Sequence, residues 1–155
     1  MQVSAKVDYG LRAMLELAAQ SHGDTTDLAS AEELAEAQAI PGKFLEGILN
    51  QLRRSGLVIS RRGAEGGYRL AKPADQITFA EVIRAIEGPL AGVRGVAPED
   101  AEYEGAAEHM REVWIATRAA MRDVLESVTL AGVLTGEFDS PVGDLLARPG
   151  AWERR

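Results

Sequence analysis

Residues 30–70 read SAEELAEAQAIPGKFLEGILNQLRRSGLVISRRGAEGGYRL, and the order of signals within this stretch decides the fold. Ser30, with Glu33 three residues on, makes a capping box in which hydroxyl and carboxylate satisfy orphan amides reciprocally. A short helix therefore opens at Ser30, and it ends near Gln38. Ile40-Pro41 starts the next helix, with proline at the first helical position, where its missing N–H would be unpaired anyway. Leu45, Ile48, Leu49 and Leu52 recur at i, i+3, i+4 and i+7 and form one apolar stripe. Pro41, Lys43, Glu46 and Asn50 lie largely off that stripe. Gly56 ends the helix through a left-handed conformation. Leu57 to Ser60 reads as a strand, Arg61 to Gly67 as a tight turn and Tyr68 to Leu70 as the returning strand. Together they form a β-hairpin with a glycine- and arginine-rich tip.

Reading outward, Ser4 caps a first helix that runs to about Gln20, with Val7, Leu11, Met14, Leu15 and Ala18 at helical spacing. Ser21-His22-Gly23-Asp24 stops it. Thr78, with Glu81 three residues on, caps another helix through Ile86, with Val82, Ile83 and Ile86 buried. Residues 88–105 are rich in Gly, Pro and Glu and read as a loop, long for a structureless connection. A long helix is expected over Ala106 to Ser127, a rod of roughly 33 Å at about 1.5 Å per residue. Along it Met110, Trp114, Thr117, Met121, Val124 and Val128 fall at alternating spacings of four and three, a heptad-like seam that asks for a partner helix. Thr129 caps a last short turn, Leu130 to Leu134, and the tail after Gly136 reads as loose. The expected layout is a winged-helix domain over 1–87, a loop over 88–105, a dimerisation helix with a short terminal helix over 106–135, and a tail over 136–155. The fold class is mainly α with a small β-hairpin wing.

Composition removes several classes of function. The chain has 155 residues, 46% of them hydrophobic, enough for one core. No apolar run approaches the ~20 residues a membrane span needs, and Met1 to Gly10 lacks the pattern of a signal peptide, so a cytoplasmic location is expected. With no cysteine, disulfides, cysteine nucleophiles and Cys-ligated metal centres are excluded. The two histidines, His22 and His109, stand far apart, and no nucleophile–base or metal constellation is visible, so an enzyme is not expected. The net charge of −7 argues mildly against nucleic acid, but its distribution argues the other way. Between Lys43 and Lys72 lie seven basic residues, Lys43, Arg53, Arg54, Arg61, Arg62, Arg69 and Lys72, against Glu46 and Glu65, a local charge of +5. Local basicity decides whether one surface can meet phosphate.

A short helix joined by a tight turn to a second helix, followed by a basic hairpin, is the winged helix-turn-helix arrangement. The second helix would lie in the major groove of double-stranded DNA with its N-terminal residues at base edges. There Lys43 can reach guanine or phosphate, Glu46 can accept from cytosine, and Asn50 can pair with adenine or phosphate. Arg61 and Arg62 at the wing can enter a narrow minor groove, where the negative potential is enhanced. Gly66 and Gly67 would let the backbone approach the sugar–phosphate chain, with Tyr68 beside them on the same DNA-facing hairpin.

These residues resemble the Rrf-type family of winged-helix regulators, of the IscR, NsrR and CymR kind. The most specific segment is Leu52-Arg53-Arg54-Ser55-Gly56-Leu57-Val58, followed by Arg62-Gly63 and Gly66-Gly67-Tyr68. The opening Ser4-Ala5-Lys6-Val7-Asp8-Tyr9-Gly10-Leu11-Arg12-Ala13 and the later Val128-Thr129-Leu130-Ala131-Gly132-Val133-Leu134 also match, so the resemblance covers about residues 1–135. It implies a homodimer joined by the long helix; a two-fold dimer would impose a palindromic operator, and repression is the expected role. It also implies DNA contacts at Pro41, Lys43, Phe44, Glu46 and Arg62. Many such proteins hold an iron–sulfur cluster through three cysteines in the loop before the long helix. Here that loop, Gly88 to Gly105, has none, so no cofactor is expected. Asp8 matches a carboxylate ligand of one branch, but without thiolate partners it reads as an acid favoured by the helix dipole. A protein or a small molecule stays open as effector. A small apolar ligand would be lined by Trp114 and Met110, and a protein–protein adaptor without DNA is the reading from another class.

Overall fold

A computed structural model describes residues 2–21 and 28–154. His22, Gly23 and Asp24, expected to stop the first helix, lie outside the described residues. The Ser4 hydroxyl accepts from the Val7 amide at 3.2 Å and starts α1, Ala5–Gln20. Ser30 and Glu33 form the expected capping box and open α2, Ala31–Ala37. The Ser30 amide and hydroxyl hold the Glu33 carboxyl below its ordinary range. The α2 helix ends in a double turn, with the Ile40 amide donating to Ala35 O at 2.9 Å and the Ala39 amide to Glu36 O. Ala39 has φ +50 where glycine is usual.

α3, Gly42–Arg54, follows. Pro41 is its N-cap rather than its first residue: at ψ 122 it is still extended, and its carbonyl accepts from the Phe44 and Leu45 amides. Leu45, Ile48, Leu49 and Leu52 are buried as the stripe predicts, and Gly56 adopts φ +73. β1, Val58–Arg61, and β2, Gly67–Leu70, pair antiparallel from Val58↔Leu70 to Arg61↔Gly67. The second capping box, Thr78 with Glu81, opens α4, Phe79–Glu87. Burial pushes the Glu81 carboxyl up, but Lys72 and Thr78 together outweigh it and hold the group below its usual range. Val82 and Ile86 are buried; Ile83 is only half-buried and packs on the edge of the core.

The 88–105 loop is not structureless. Val93 and Val96 pair across a turn at Arg94-Gly95, residues 98–100 form a 3-10 turn, and Ala101 is buried. A second 3-10 turn at Gly105–Ala107 delays the long helix, so α5 spans Met110–Ser127 instead of starting at Ala106. Thr129 caps α6, Leu130–Thr135, through the Gly132 amide. The segment expected to be loose carries α7, Val142–Leu146, with the Trp152 indole N–H donating to Leu146 O at 3.2 Å. A five-residue helix spans too few turns to show a period.

The core gathers Val7, Met14, Leu17, Leu34, the α3 stripe, Val58, Leu70, Ile77, Val82 and Ile86 with Leu130, which is fully buried. Leu130 therefore belongs to the winged-helix unit. The chain leaves through the loop and α5, and α6 returns to pack against α1 and place Leu130 in this core. Two backbone bonds lock the return, Phe79 N–H to Val128 O at 2.9 Å and Leu130 N–H to Ile77 O at 3.0 Å. No described helix is long and apolar enough to cross a membrane.

Candidate nucleic-acid interface

With its apolar stripe turned inward, α3 has one free side. Helical spacing puts Lys43, Gly47, Asn50 and Arg54 in a row opposite Leu45, Ile48, Leu49 and Leu52. Glu46 and Arg53 flank the row toward the hairpin, and Phe44 and Gln51 flank it toward α1. The Asn50 side-chain carbonyl accepts from the Arg53 guanidinium at 3.0 Å. Phe44 is 62% exposed and meets the Tyr9 ring edge-on at 6.4 Å, while the Arg12 guanidinium covers Tyr9 at 5.1 Å.

The hairpin is fixed to the helices by a third extended segment. Ala29 and Tyr68 exchange backbone bonds, Ala29 N–H to Tyr68 O at 2.9 Å and Tyr68 N–H to Ala29 O at 2.7 Å. A cleft of about 720 Å³ opens between this hairpin and α3, lined among others by Glu46, Gly47, Asn50, Arg53, Arg61 and Arg62. Of the residues expected at a DNA surface, Glu46, Asn50, Arg61, Arg62, Gly66, Gly67 and Tyr68 line this one cleft. Lys43 and Phe44 sit on the far side of the same helix. Pro41, at the cap, lines neither of these clefts.

Gly66 and Gly67 were expected to make room for a sugar–phosphate chain. In the folded chain a Cβ on Gly66 would run into the Arg61 carbonyl and the Gly63 oxygen, and one on Gly67 would stand 2.6 Å from the Ala29 oxygen. Their missing side chains are thus required by the chain's own backbone, whatever binds the cleft. Gly67→Ala should push the hairpin off Ala29 and cost about 1–3 kcal/mol, as overpacking against an unyielding neighbour does. Urea unfolding checks this, and a variant as stable as the parent would show that the Ala29–Tyr68 pairing does not hold the wing.

Sequence reasoning missed two cations. Lys6, near the start of α1, and Arg54, at the end of α3, line a second cleft of about 390 Å³ with Lys43, Phe44, Gly47 and Asn50. Among the described residues no carboxylate lines this cleft, whereas the opposite corner of α3 faces Glu32, Glu36 and Glu46. Arg54 was visible in the basic run; nothing local marks Lys6, because only packing brings α1 beside α3. The α2 helix carries three glutamates and no basic residue, so it offers nothing to a phosphate chain.

On α5 none of the described side chains is buried. The expected seam divides: Met110, Trp114 and Thr117 are exposed, while Met121, Val124 and Val128 are half-buried, in the half of the helix that ends at α4. Val128 caps the helix, and its carbonyl is engaged by Phe79. Val113 and Ile115 are also exposed, which the seam omitted. Neither Met110 nor Trp114 lines the clefts beside α3. In the loop before α5, the Arg94 guanidinium covers the Tyr103 ring at 5.7 Å, and Glu99 pairs with Arg118 at 2.5 Å. Asp8 pairs with Arg12 at 3.0 Å within α1.

A family described as Rrf2, iron-dependent transcriptional regulator, matches residues 3–136. The chain is 46% identical over 145 residues to a Mycobacterium tuberculosis (strain H37Rv) protein described as an HTH-type transcriptional regulator, Rv1287, covering 94% of this chain and 88% of that one. It is 38% identical over 130 residues to the HTH-type transcriptional regulator CymR of Bacillus subtilis, covering 84% and 87%. Among solved structures, CymR, the global cysteine regulator of B. subtilis, superposes with a TM-score of 0.71 at 36% identity over 88% of this chain and 98% of that one. T. potens IscR superposes with a TM-score of 0.67 at 33% identity over 88% of each.

Proposed function

Because the chain belongs to the Rrf2 family of transcriptional regulators, we propose that it acts as a homodimeric repressor that grips a palindromic operator and senses its signal without an iron–sulfur cluster. The observation that carries the DNA reading is the single cleft between α3 and the hairpin, with Glu46, Asn50, Arg53, Arg61 and Arg62 around it and Lys43 beside it. α3 lies in the major groove, with Lys43, Phe44, Glu46 and Asn50 toward base edges and Pro41 at its entry. Arg61 and Arg62 reach the flanking minor groove. Lys6 and Arg54 take phosphates on the other side of α3, which replaces the backbone contacts that the acidic α2 helix cannot make. The unpartnered apolar face of α5 supports the dimer, and two-fold symmetry of the protein imposes two-fold symmetry on the operator.

The Rrf2 family is described as iron-dependent, and the donors this chain offers decide whether iron fits. A cluster of the Rrf2 type needs thiolates, and the chain has no cysteine. Among the described residues no group of three or more His, Cys, Asp or Glu could hold a metal ion. Asp8 is engaged by Arg12, and the loop before α5 is held by Glu99–Arg118 and Arg94–Tyr103. These residues do not fit an iron–sulfur cluster. The effector is then a protein or a small molecule.

Binding is measured by fluorescence anisotropy on an operator selected from random DNA and on scrambled DNA, at several salt concentrations. Arg62→Ala should weaken binding and reduce the salt slope by about one unit. Lys43→Ala should cost about 1–3 kcal/mol at a guanine-containing site. If both variants bind like the parent, α3 and the hairpin do not face DNA, and an adaptor role replaces this one.

A further inference from the structure

Gly47 stands in the middle of α3, where the fold has no use for a glycine. Its backbone is helical, and a Cβ built there meets nothing within 4 Å. Gly10 and Gly67 differ. A Cβ on Gly10 would strike Ile86 across the α1–α4 contact, and one on Gly67 would strike the Ala29 backbone. A glycine inside a helix costs about 0.8–1.0 kcal/mol relative to alanine. Among the described residues nothing returns that stability at Gly47, and the missing side chain points to something outside the chain.

The position says where. Gly47 follows Lys43 by one turn and precedes Asn50 and Arg54 on the free side of α3, and it is one of the residues shared by the two clefts that flank this helix. It is the low saddle between them. On one side stand Arg61 and Arg62, on the other Lys6, Lys43 and Arg54. A duplex held by cations on both sides of the helix is drawn onto this saddle, and there the helix presents bare main chain.

We propose that Gly47 is the point of closest approach between α3 and DNA: a base-pair edge in the major groove packs directly on the helix backbone there, and the absent Cβ sets how deeply the helix seats. Asn50 and Lys43, the neighbours on the same row, can reach base edges only at that depth. Gly47 thereby controls specificity without offering a functional group. This inference rests on the DNA-binding reading above and goes beyond it by naming a seating point.

The test compares the full-length parent with Gly47→Ala and Gly47→Leu. Thermal unfolding reports the fold, and fluorescence anisotropy on the selected operator and on scrambled DNA reports binding at several salt concentrations. Alanine should raise the melting temperature or leave it unchanged, since it favours the helix and meets no neighbour. Operator affinity should nevertheless fall about tenfold for alanine, comparable to a mismatched base pair, and further for leucine. The salt slope should not change, because no cation is removed. Scrambled DNA, which is held by phosphates, should lose less. Equal operator affinity for all three proteins overturns the seating point and leaves the DNA reading standing. A lower melting temperature for alanine also overturns it, by giving Gly47 a role in the fold. A parent that binds no DNA at all overturns the DNA reading itself and the seating point with it.

Discussion

Leu130→Ala lowers the free energy of unfolding by about 2–5 kcal/mol, the range for a leucine removed from a closed core. Leu130 sits more than forty residues beyond the last helix of the expected winged-helix domain, yet it is fully buried among side chains of that domain. Its amide is tied to Ile77 O, so the backbone cannot follow the shortened side chain inward and a void is left behind. Leu134, four residues on in the same helix, is 46% exposed and serves as the control; Leu134→Ala should change stability by less than about 0.5 kcal/mol. Urea unfolding at one fixed protein concentration is the measurement, since association adds to the stability of a dimer. If the two variants unfold alike, α6 is an appendage, and residues 1–87 do form an independent core.

The second large effect is expected for Val113→Glu combined with Trp114→Glu. These side chains stand 58% and 37% exposed on a helix in which no described residue is buried. The double variant should be monomeric by light scattering and remain folded, because neither position belongs to the core. Met121 and Val124 are poorer sites for this test: both are half-buried in a single chain, so a charge there could unfold the protein's own packing. Loss of the dimer turns one bivalent grip on two half-sites into two independent ones. Operator affinity should then fall by a factor on the order of 10²–10⁴. A double variant that stays dimeric places the interface elsewhere. A monomer that binds the operator as tightly as the parent would mean that one half-site suffices and that the palindrome carries no affinity.

The sequence by itself determined the local elements of this protein. The two capping boxes, Ser30 with Glu33 and Thr78 with Glu81, the α3 stripe, the left-handed Gly56 and the hairpin after it all depend on residues within a few positions of each other. A pattern of that range is complete in the sequence because its partners are chain neighbours. The basic run from Lys43 to Lys72 is likewise contiguous in the chain, and it spans α3 and the hairpin. Tertiary structure alone decided the rest. It put Lys6 beside Lys43 and Arg54, and it moved Leu130 from an accessory helix into the core. It also split the α5 seam into an exposed half and a half turned toward α4. And it separated glycines that look alike in sequence: Gly66 and Gly67 give way to the chain's own backbone, while Gly47 opens onto empty space. In each case the deciding neighbour lies far along the chain or outside it. Which distant segments meet is set by how all the buried faces close on one another, and no local spacing records that closure.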